Sequence, residues 1–128
     1  MRTALVVEDD ATIRELMMEL LREQDFEQVL GAANPARALA LAQSNELDLV
    51  VLDHCLGGES GIEVAEQLRA LPDFSAPVLV TTALPRAEAE KVCAEADACE
   101  CVLKPFDITE FLAAVQACLR DRGAPLAA

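Results

Sequence analysis

Residues 47–53 read Leu-Asp-Leu-Val-Val-Leu-Asp, an apolar run that ends on an aspartate. A short and nearly continuous apolar run is typical of a strand that is buried on both faces of a parallel sheet. Residues 3–7 (TALVV) have the same character. Further candidates at residues 28–33, 78–81 and 101–103 bring the predicted strands to five.

Helical patterns fill the intervals between these strands. Between residues 13 and 21, apolar side chains recur at i, i+3, i+4, i+7 and i+8, which is one face of a helix, and Asp10 is a good N-cap for it. The other predicted helices are residues 36–43 after the Asn34-Pro35 cap, residues 62–71, residues 86–96 and the segment that Asp107 caps. Strands that alternate with helices predict a doubly wound α/β domain with a five-stranded parallel sheet and five helices.

The composition describes one acidic domain. The 128 residues carry a net charge of −13, so neither nucleic acid nor a membrane is expected as a direct partner. We recognise no signal peptide, and the apolar stretches are far shorter than a membrane span, which favours a cytoplasmic location. We assign residues 1–122 to the domain and residues 123–128 to a tail or the start of a linker.

The cysteines are odd in number and show no disulfide-like pattern. They are Cys55, Cys93, Cys99, Cys101 and Cys118. Zinc sites usually need wider spacing and more ligands than the Cys99-x-Cys101 pair offers. We interpret the cysteines as small hydrophobic side chains in a reducing compartment, with redox sensing as the alternative.

Polar side chains follow four of the five predicted strands. The set consists of Glu8 and Asp9 after the first strand, Asp53 after the third, Thr82 after the fourth and Lys104 after the fifth. The carboxyl ends of parallel strands meet at one edge of the sheet, where ligands bind in open α/β folds. We therefore expect these residues to form one site.

The chemistry of this set suits phosphoryl transfer. Three carboxylates held close together repel one another, and a hard divalent cation such as Mg²⁺ relieves the repulsion. A carboxylate can also act as a nucleophile and form an acyl phosphate. The lysine can neutralise phosphoryl oxygens, and the threonine hydroxyl can donate a hydrogen bond to them.

Four motifs at these strand ends resemble those of the response-regulator receiver domains of two-component signalling. They are Val6-Val7-Glu8-Asp9-Asp10, Val51-Leu52-Asp53 with Gly61 eight residues later, Thr81-Thr82-Ala83 and Lys104-Pro105-Phe106. The resemblance covers about residues 3–121 and implies a flavodoxin-like sheet of strand order 2-1-3-4-5. It also implies a signalling switch rather than an enzyme. The implied phosphoryl donor is a sensor histidine kinase or a histidine phosphotransfer protein, and a homodimer through the fourth helix, fifth strand and fifth helix is a further implication.

The resemblance assigns a role to each residue of the site. Asp53 is implied to be the phosphoacceptor, Thr82 the switch hydroxyl and Lys104 the phosphate-binding lysine, which a cis peptide bond to Pro105 aims inward. The implied Mg²⁺ ligands are Glu8, Asp9, Asp53 and the backbone carbonyl of Cys55.

Three positions depart from the usual pattern of the family. Cys101 stands where an aromatic residue commonly rotates inward as the threonine moves, so we expect a smaller rearrangement. Gly57 replaces a common proline and, beside Gly58, predicts a looser loop. Asp97 replaces a glycine before the fifth strand, and aspartate tolerates the left-handed backbone better than most residues.

Two other functions fit parts of the pattern. A phosphatase of the haloacid-dehalogenase type also uses a strand-end aspartate, but it normally needs a second aspartate two residues on, where this chain has Cys55. A phosphorylation-independent interaction module would keep the fold without the chemistry. Cys101 and Gly57 fit that module, and the complete set of site residues argues against it.

Overall fold

A computed structural model describes residues 2–121 of the chain, and the predicted tail lies outside them. The strands are β1 (Thr3–Val7), β2 (Gln28–Ala32), β3 (Leu49–Asp53), β4 (Cys55–Leu56), β5 (Glu59–Ser60), β6 (Val78–Thr82) and β7 (Glu100–Leu103). The helices are α1 (Ala11–Arg22), α2 (Pro35–Ser44), α3 (Gly61–Arg69), α4 (Arg86–Glu95) and α5 (Ile108–Asp121). Within the described residues, no helix has the length and apolar character needed to cross a membrane.

The main sheet has five parallel strands in the order β2-β1-β3-β6-β7. Because β4 and β5 pair only with each other, this is the predicted order 2-1-3-4-5, and the flavodoxin-like fold is confirmed. The chain first adds β2 on one side of β1 and then places β3 on the other. The order therefore reverses between β1 and β3, and ligands of doubly wound sheets bind at the carboxyl side of such a point.

Helices cover the sheet on both faces. Ala4 and Val6 of β1 pack with residues of α1 and α5, whereas Leu5 and Val7 pack with residues of α2 and α3. This division follows from the alternation of side chains along a strand. Every residue of β1, β3 and β6 is buried, which explains why these strands read as continuous apolar runs.

The helices differ in how they begin. The three predicted caps are confirmed. Asp10 accepts hydrogen bonds from the N–H groups of Thr12 and Ile13 at 2.9 and 3.0 Å. Asn34 accepts one from the Arg37 N–H at 2.9 Å, and Asp107 accepts one from the Glu110 N–H at 2.7 Å. By contrast, α4 follows Pro85 without a side-chain cap, and Ala89 is the one buried residue within Arg86–Glu95.

The carboxyl end of α4 is held by α3. The guanidinium of Arg69 donates hydrogen bonds to the carbonyl oxygens of Ala96 and Asp97, the second at 2.8 Å. Asp97 has a φ of 51°, so the prediction that it adopts the left-handed conformation is confirmed.

A short ribbon follows β3 where the sequence predicts a loose loop. Cys55 pairs with Ser60 and Leu56 with Glu59, and the turn between them has φ values of 57° at Gly57 and 96° at Gly58. Glycine adopts positive φ without strain, and two such residues in succession close a tight hairpin turn. The glycine pair therefore closes the turn of this short ribbon.

Four of the five cysteines are paired. Cys93 of α4 joins Cys101 of β7, and Cys99 joins Cys118 of α5, while Cys55 is free and exposed. The interpretation of the cysteines as unpaired hydrophobic side chains is therefore wrong for these four. Their pairing arises because β7 lies between α4 and α5, which places one partner on each face of the sheet.

Candidate functional site

Three acidic side chains meet at the carboxyl ends of β1 and β3. Glu8 and Asp9 follow β1 directly, and Asp53 is the last residue of β3. One carboxylate oxygen of each lies within 4.8 Å of the other two. Glu8 is 1% exposed and Asp53 4% exposed, whereas Asp9 is exposed. The cluster therefore has a buried floor and one side that faces solvent.

Lys104 supplies the positive charge of the site. Its Nζ lies 2.7 Å from Oε1 of Glu8 and 3.2 Å from Oδ1 of Asp53. The peptide bond between Lys104 and Pro105 is cis, as the resemblance implies. The structure thus brings together the predicted residues from β1, β3 and the end of β7.

The electrostatics of the site favour an added cation. Burial disfavours the charged form and raises the pKa of the Glu8 carboxyl to about 7; the hydrogen bond from Lys104 opposes this shift, and the charge of Asp53 adds to it. Burial lowers the pKa of Lys104, but its contacts with Glu8 and Asp53 outweigh this and leave that pKa above its usual value. Three acids against one lysine leave negative charge uncompensated when all are ionised.

Contacts that the sequence analysis did not predict hold Glu8 in place. The Asp10 N–H donates to Oε2 of Glu8 at 3.2 Å, and Nη1 of Arg14 donates to the Glu8 carbonyl oxygen at 2.9 Å. Arg14 carries no sequence signal for this role, because an arginine in the first turns of a helix normally points to solvent. Only its reach back to the end of β1 shows that it supports the site.

Gly61 allows α3 to begin directly against the strand that carries Asp53. A Cβ at this position would lie 2.6 Å from the carbonyl oxygen of Asp53 and 2.9 Å from the Cα of His54. The Gly61 N–H also donates to the His54 carbonyl oxygen at 2.7 Å. Because a side chain would collide with backbone, the residue eight positions after Asp53 must be glycine for this packing.

Thr82 is the buried last residue of β6. Asp53 pairs in register with Thr81, so Thr82 lies one residue further along the neighbouring strand. Its hydroxyl oxygen accepts a hydrogen bond from the Leu84 N–H at 3.1 Å. The Thr81 hydroxyl is also buried and has no hydrogen-bond partner among the described residues. Thr82 is therefore beside the acidic cluster, with its hydroxyl proton still available to donate.

The donor set fits Mg²⁺. Glu8, Asp9 and Asp53 offer carboxylate oxygens, which are the ligands that this hard ion prefers, and an exposed side leaves room for the waters that it keeps. Cys55 lies two residues after Asp53 and its N–H approaches Oδ1 of Asp53 at 3.5 Å. The role of its carbonyl as a fourth ligand stays a prediction.

An apolar groove of about 340 Å³ lies beside this site. It is lined by Ile13, Leu16, Ala83, Lys104, Pro105 and Phe106. The side of the groove that α1 contributes includes Leu16, which is 49% exposed. A larger cavity of about 520 Å³ lies at the opposite edge of the sheet, between residues 42–48 and 72–75, and is remote from the acidic cluster.

Comparison with protein families decides what this arrangement is. The model of the response regulator receiver domain matches residues 4–116, which include every residue of the acidic cluster as well as Thr82 and Lys104. The chain belongs to this family. The resemblance drawn from the four strand-end motifs is thus confirmed, and the chain is a receiver domain of two-component signalling.

Individual relatives agree with this assignment. The receiver domain is 34% identical over 123 residues to the regulatory protein VirG of Agrobacterium tumefaciens (strain 15955), which covers 95% of this chain and 45% of VirG. It is 37% identical over 123 residues to the sensory transduction protein RegX3 of Mycobacterium tuberculosis (strain ATCC 25618 / H37Rv), covering 96% of this chain and 53% of RegX3. The receiver domain therefore spans about half the length of these curated relatives.

Solved structures show the same architecture. The chemotaxis protein CheY4 of Vibrio cholerae superposes with a TM-score of 0.84 at 26% identity, covering 93% of this chain and 99% of CheY4. A CheY-like receiver domain from Methylobacillus flagellatus superposes with a TM-score of 0.78 at 26% identity, covering 91% and 98%.

Proposed function

We propose that this receiver domain accepts a phosphoryl group on Asp53, with Mg²⁺ held by Glu8, Asp9 and Asp53, and changes its output surface in response. One observation carries the proposal. Asp53 is an almost fully buried carboxylate that has the Lys104 ammonium at 3.2 Å and two further carboxylates within 4.8 Å. A buried acid with a cation partner and two neighbouring carboxylates that can hold a divalent cation suits a nucleophile that attacks the phosphorus of a phosphoryl donor.

Asp53 is the nucleophile in this proposal. One of its carboxylate oxygens forms a bond to phosphorus, the bond between phosphorus and the donor atom breaks, and the electron pair of that bond leaves with the donor. Mg²⁺, when bound, offsets the charge of the acids and of the phosphoryl oxygens. Lys104 pairs with a phosphoryl oxygen as a point charge. The Thr82 hydroxyl then donates a hydrogen bond to another phosphoryl oxygen.

The proposed donor is a phosphohistidine on a sensor histidine kinase or a histidine phosphotransfer protein. The groove beside Lys104 supports a protein donor, because its apolar wall includes the exposed Leu16. An apolar helix face of the donor resting on this wall brings its histidine to the side where Asp9 is exposed. We also propose a cytoplasmic location, and a homodimer through α4, β7 and α5 stays a prediction.

Labelling by a small acyl phosphate tests the acceptor. With acetyl phosphate and Mg²⁺, intact-mass measurement should show one added phosphoryl group on the full chain and none on Asp53→Asn. The matched control is Asp25→Asn, which removes an exposed aspartate near the end of α1 and should label like the parent chain. Labelling of Asp53→Asn at the parent rate would show that the acceptor is wrong. Steady hydrolysis of a phosphate ester would instead favour the phosphatase alternative.

The requirement for metal has its own test. Glu8→Gln and Asp9→Asn each remove one charged ligand, and we expect each to raise the Mg²⁺ concentration for half-maximal labelling by roughly tenfold, in the range seen when metal-site partners are lost. Equal labelling with and without a chelator would contradict the proposed Mg²⁺ site.

The donor surface can be tested separately from the chemistry. Leu16→Asp should slow transfer from a phosphohistidine protein by roughly tenfold or more, the expected cost of losing one buried leucine contact. Labelling by acetyl phosphate should be unchanged, because Leu16 does not contact the acids. Equal loss with both donors would place the effect in the fold or the site and not in docking.

A further inference from the structure

Two cysteine pairs link the edge strand β7 and the residue directly before it to the helices on either side. Cys101 joins Cys93 of α4 with their Cα atoms 6.1 Å apart, and Cys99 joins Cys118 of α5 with their Cα atoms 5.3 Å apart. Both separations lie within the range that a disulfide spans. The strand at the output edge of the receiver domain therefore has a sulfur partner on each face.

The two pairs differ in their access to reagents. In one pair Cys118 is fully buried, while its partner Cys99 is only partly buried, with its sulfur 3.3 Å from the Val78 carbonyl oxygen. Cys93 and Cys101 are both partly exposed. The Cys101 sulfur also lies 3.8 Å from the Ala89 carbonyl oxygen, where a reduced thiol can donate a weak hydrogen bond. A small thiol can therefore reach the Cys93–Cys101 disulfide in the oxidised form, and the Cys101 thiol has a hydrogen-bond acceptor in the reduced form.

The link matters more for α4 than it would for a well-anchored helix. Ala89 is the one fully buried residue within α4, and Val92 and Cys93 are only partly buried against the core on the α2 and α3 face of the sheet. Pro85 supplies no side-chain cap to its first turn. A covalent bond from Cys93 to β7 therefore adds a restraint to a helix that packing holds weakly, beside the hydrogen bonds from Arg69 to Ala96 and Asp97.

Cys101 lies on the strand that pairs with the one carrying Thr82, the residue that is proposed to respond to phosphate. Its register partner on β6 is Val80, which packs in the cluster on the α2–α3–α4 face. Thr82 is two residues further along β6, so its side chain projects to the same face. A movement of Thr82 and a change at the Cys93–Cys101 pair both act on the contact between α4 and the sheet.

We propose that Cys93 and Cys101 form a reversible thiol–disulfide pair that controls how far phosphorylation of Asp53 displaces α4. The existence of the pair is independent of the proposed function, while its effect on signalling rests on it. In the oxidised form the disulfide fixes α4 on β7. In the reduced form α4 is free to follow Thr82.

The oxidant that this step needs is a small-molecule disulfide such as oxidised glutathione. The thiolate of one cysteine attacks a sulfur of that disulfide, forms a mixed disulfide and releases one thiolate. The second cysteine then attacks the protein sulfur of the mixed disulfide and releases the other. Two protein thiols are oxidised, one small disulfide is reduced, and the two protons pass to the two released thiolates.

Peptide mapping tests the pair itself. The full chain is equilibrated in reduced and oxidised glutathione, alkylated and digested without reductant. We expect a Cys93–Cys101 cross-link that forms and reduces reversibly, with reduction roughly tenfold faster than that of Cys99–Cys118, because thiol–disulfide exchange depends on access. If Cys93 and Cys101 remain alkylated as free thiols in oxidised glutathione, the proposal is wrong.

Hydrogen exchange in residues 86–95 tests the effect on α4. The oxidised chain should show at least a roughly fivefold slower exchange there than the reduced chain, because the disulfide suppresses local opening. Cys93→Ser should lose this difference, and Cys99→Ser, which breaks only the other pair, should keep it. Equal exchange in oxidised and reduced parent chains would overturn the proposed restraint.

A third experiment tests whether oxidation limits the response of α4 to phosphorylation. In the reduced chain, labelling with acetyl phosphate should change exchange in residues 86–95, and oxidation should reduce that change at least roughly fivefold while the fraction labelled stays the same. An undiminished change in the oxidised chain would refute the control of signalling. Absence of labelling in both redox forms would refute the proposed function, and with it the signalling role of the pair, whereas mapping and exchange would still decide the restraint.

Discussion

Helices α1 and α4 border the same site but are anchored very differently. α1 buries Met17, Met18, Leu20 and Leu21, and the Asp10 side chain caps its amino end. α4 buries Ala89 alone and begins at an uncapped Pro85. At roughly 1.5–3 kcal/mol for each fully buried large aliphatic side chain, the packing of α1 exceeds that of α4 by several kcal/mol.

The difference divides the site into a rigid side, which carries the acids, and a responding side, which leads from Thr82 into α4. The acids lie at the ends of β1 and β3, and Arg14 of the well-packed α1 donates to the Glu8 carbonyl oxygen, so the acidic side of the site is the rigid side. On the other side, Thr82 leads into a helix that little packing restrains. A two-state change can be driven by a modest local contact only when the element that moves is weakly held.

Core truncation in each helix tests this comparison with the largest expected effect. Leu21→Ala in α1 should lower the free energy of unfolding by about 2–5 kcal/mol, because it leaves a cavity at a fully buried position. Val92→Ala in α4 should lower it by about 1 kcal/mol, since Val92 is only partly buried. Urea unfolding monitored by circular dichroism measures both. Similar losses in the two variants would show that α4 is anchored as well as α1.

Removing one lysine from each side compares how much the acidic site and α4 contribute to the labelling rate. Lys104→Ala should slow labelling by acetyl phosphate by about 10²–10³-fold, the usual cost of losing one charge-stabilising donor in a buried site. Lys91→Ala removes the only other lysine of the sequence, which is exposed on α4, and should label at the parent rate. Rates from intact-mass time courses decide the matter. A large loss in Lys91→Ala would mean that α4 takes part in the chemistry.

A pH dependence on the rigid side is the third expected effect. Without Mg²⁺, the Glu8 carboxyl has a folded-state pKa of about 7 against an ordinary value of 4.5, so between these values the folded chain binds more protons than the unfolded chain. The stability from Glu8 is complete below 4.5 and is lost as the pH rises through about 7. Its steepest slope is about 1.4 kcal/mol per pH unit.

Urea unfolding across this pH range, with a chelator present, should therefore show a falling stability in the parent chain that Glu8→Gln lacks. Saturating Mg²⁺ should flatten the slope, because it favours ionised Glu8. A parent slope that matches the slope of Glu8→Gln would show that burial of this carboxyl costs nothing in the ionised form.

The sequence predicts the rigid side well for a physical reason. Strands buried on both faces must be continuously apolar, and the carboxyl ends of parallel strands must share one edge. Residues at the ends of such strands, among them Glu8 and Asp53, are therefore placed by the fold alone. The caps at Asp10 and Asn34 are equally local, because each acts within one helical turn.

The responding side could not be read in the same way. Cys99 and Cys101 are two residues apart in the sequence, yet their partners lie on opposite faces of the sheet. Only the packing of three elements fixes which sulfur meets which. Likewise, the reach of Arg14 to a carbonyl oxygen depends on a long side chain with many rotamers, which spacing does not constrain.

The hydrogen bonds from Arg69 to the carbonyl oxygens of Ala96 and Asp97 attach α4 at one end only. Its carboxyl end is pinned to α3, whereas its amino end, four residues after Thr82, has no side-chain cap. A rod that is fixed at one end swings instead of sliding, so any displacement is greatest near Arg86 and smallest near Glu95. We expect local opening to be most frequent near Arg86 and least frequent near Glu95, so amide exchange should become slower along α4 in that order. Uniform exchange along α4 would show that Arg69 does not fix its carboxyl end. A bond at Cys93 adds a second point of attachment to β7, and any displacement that remains is confined to the residues before it.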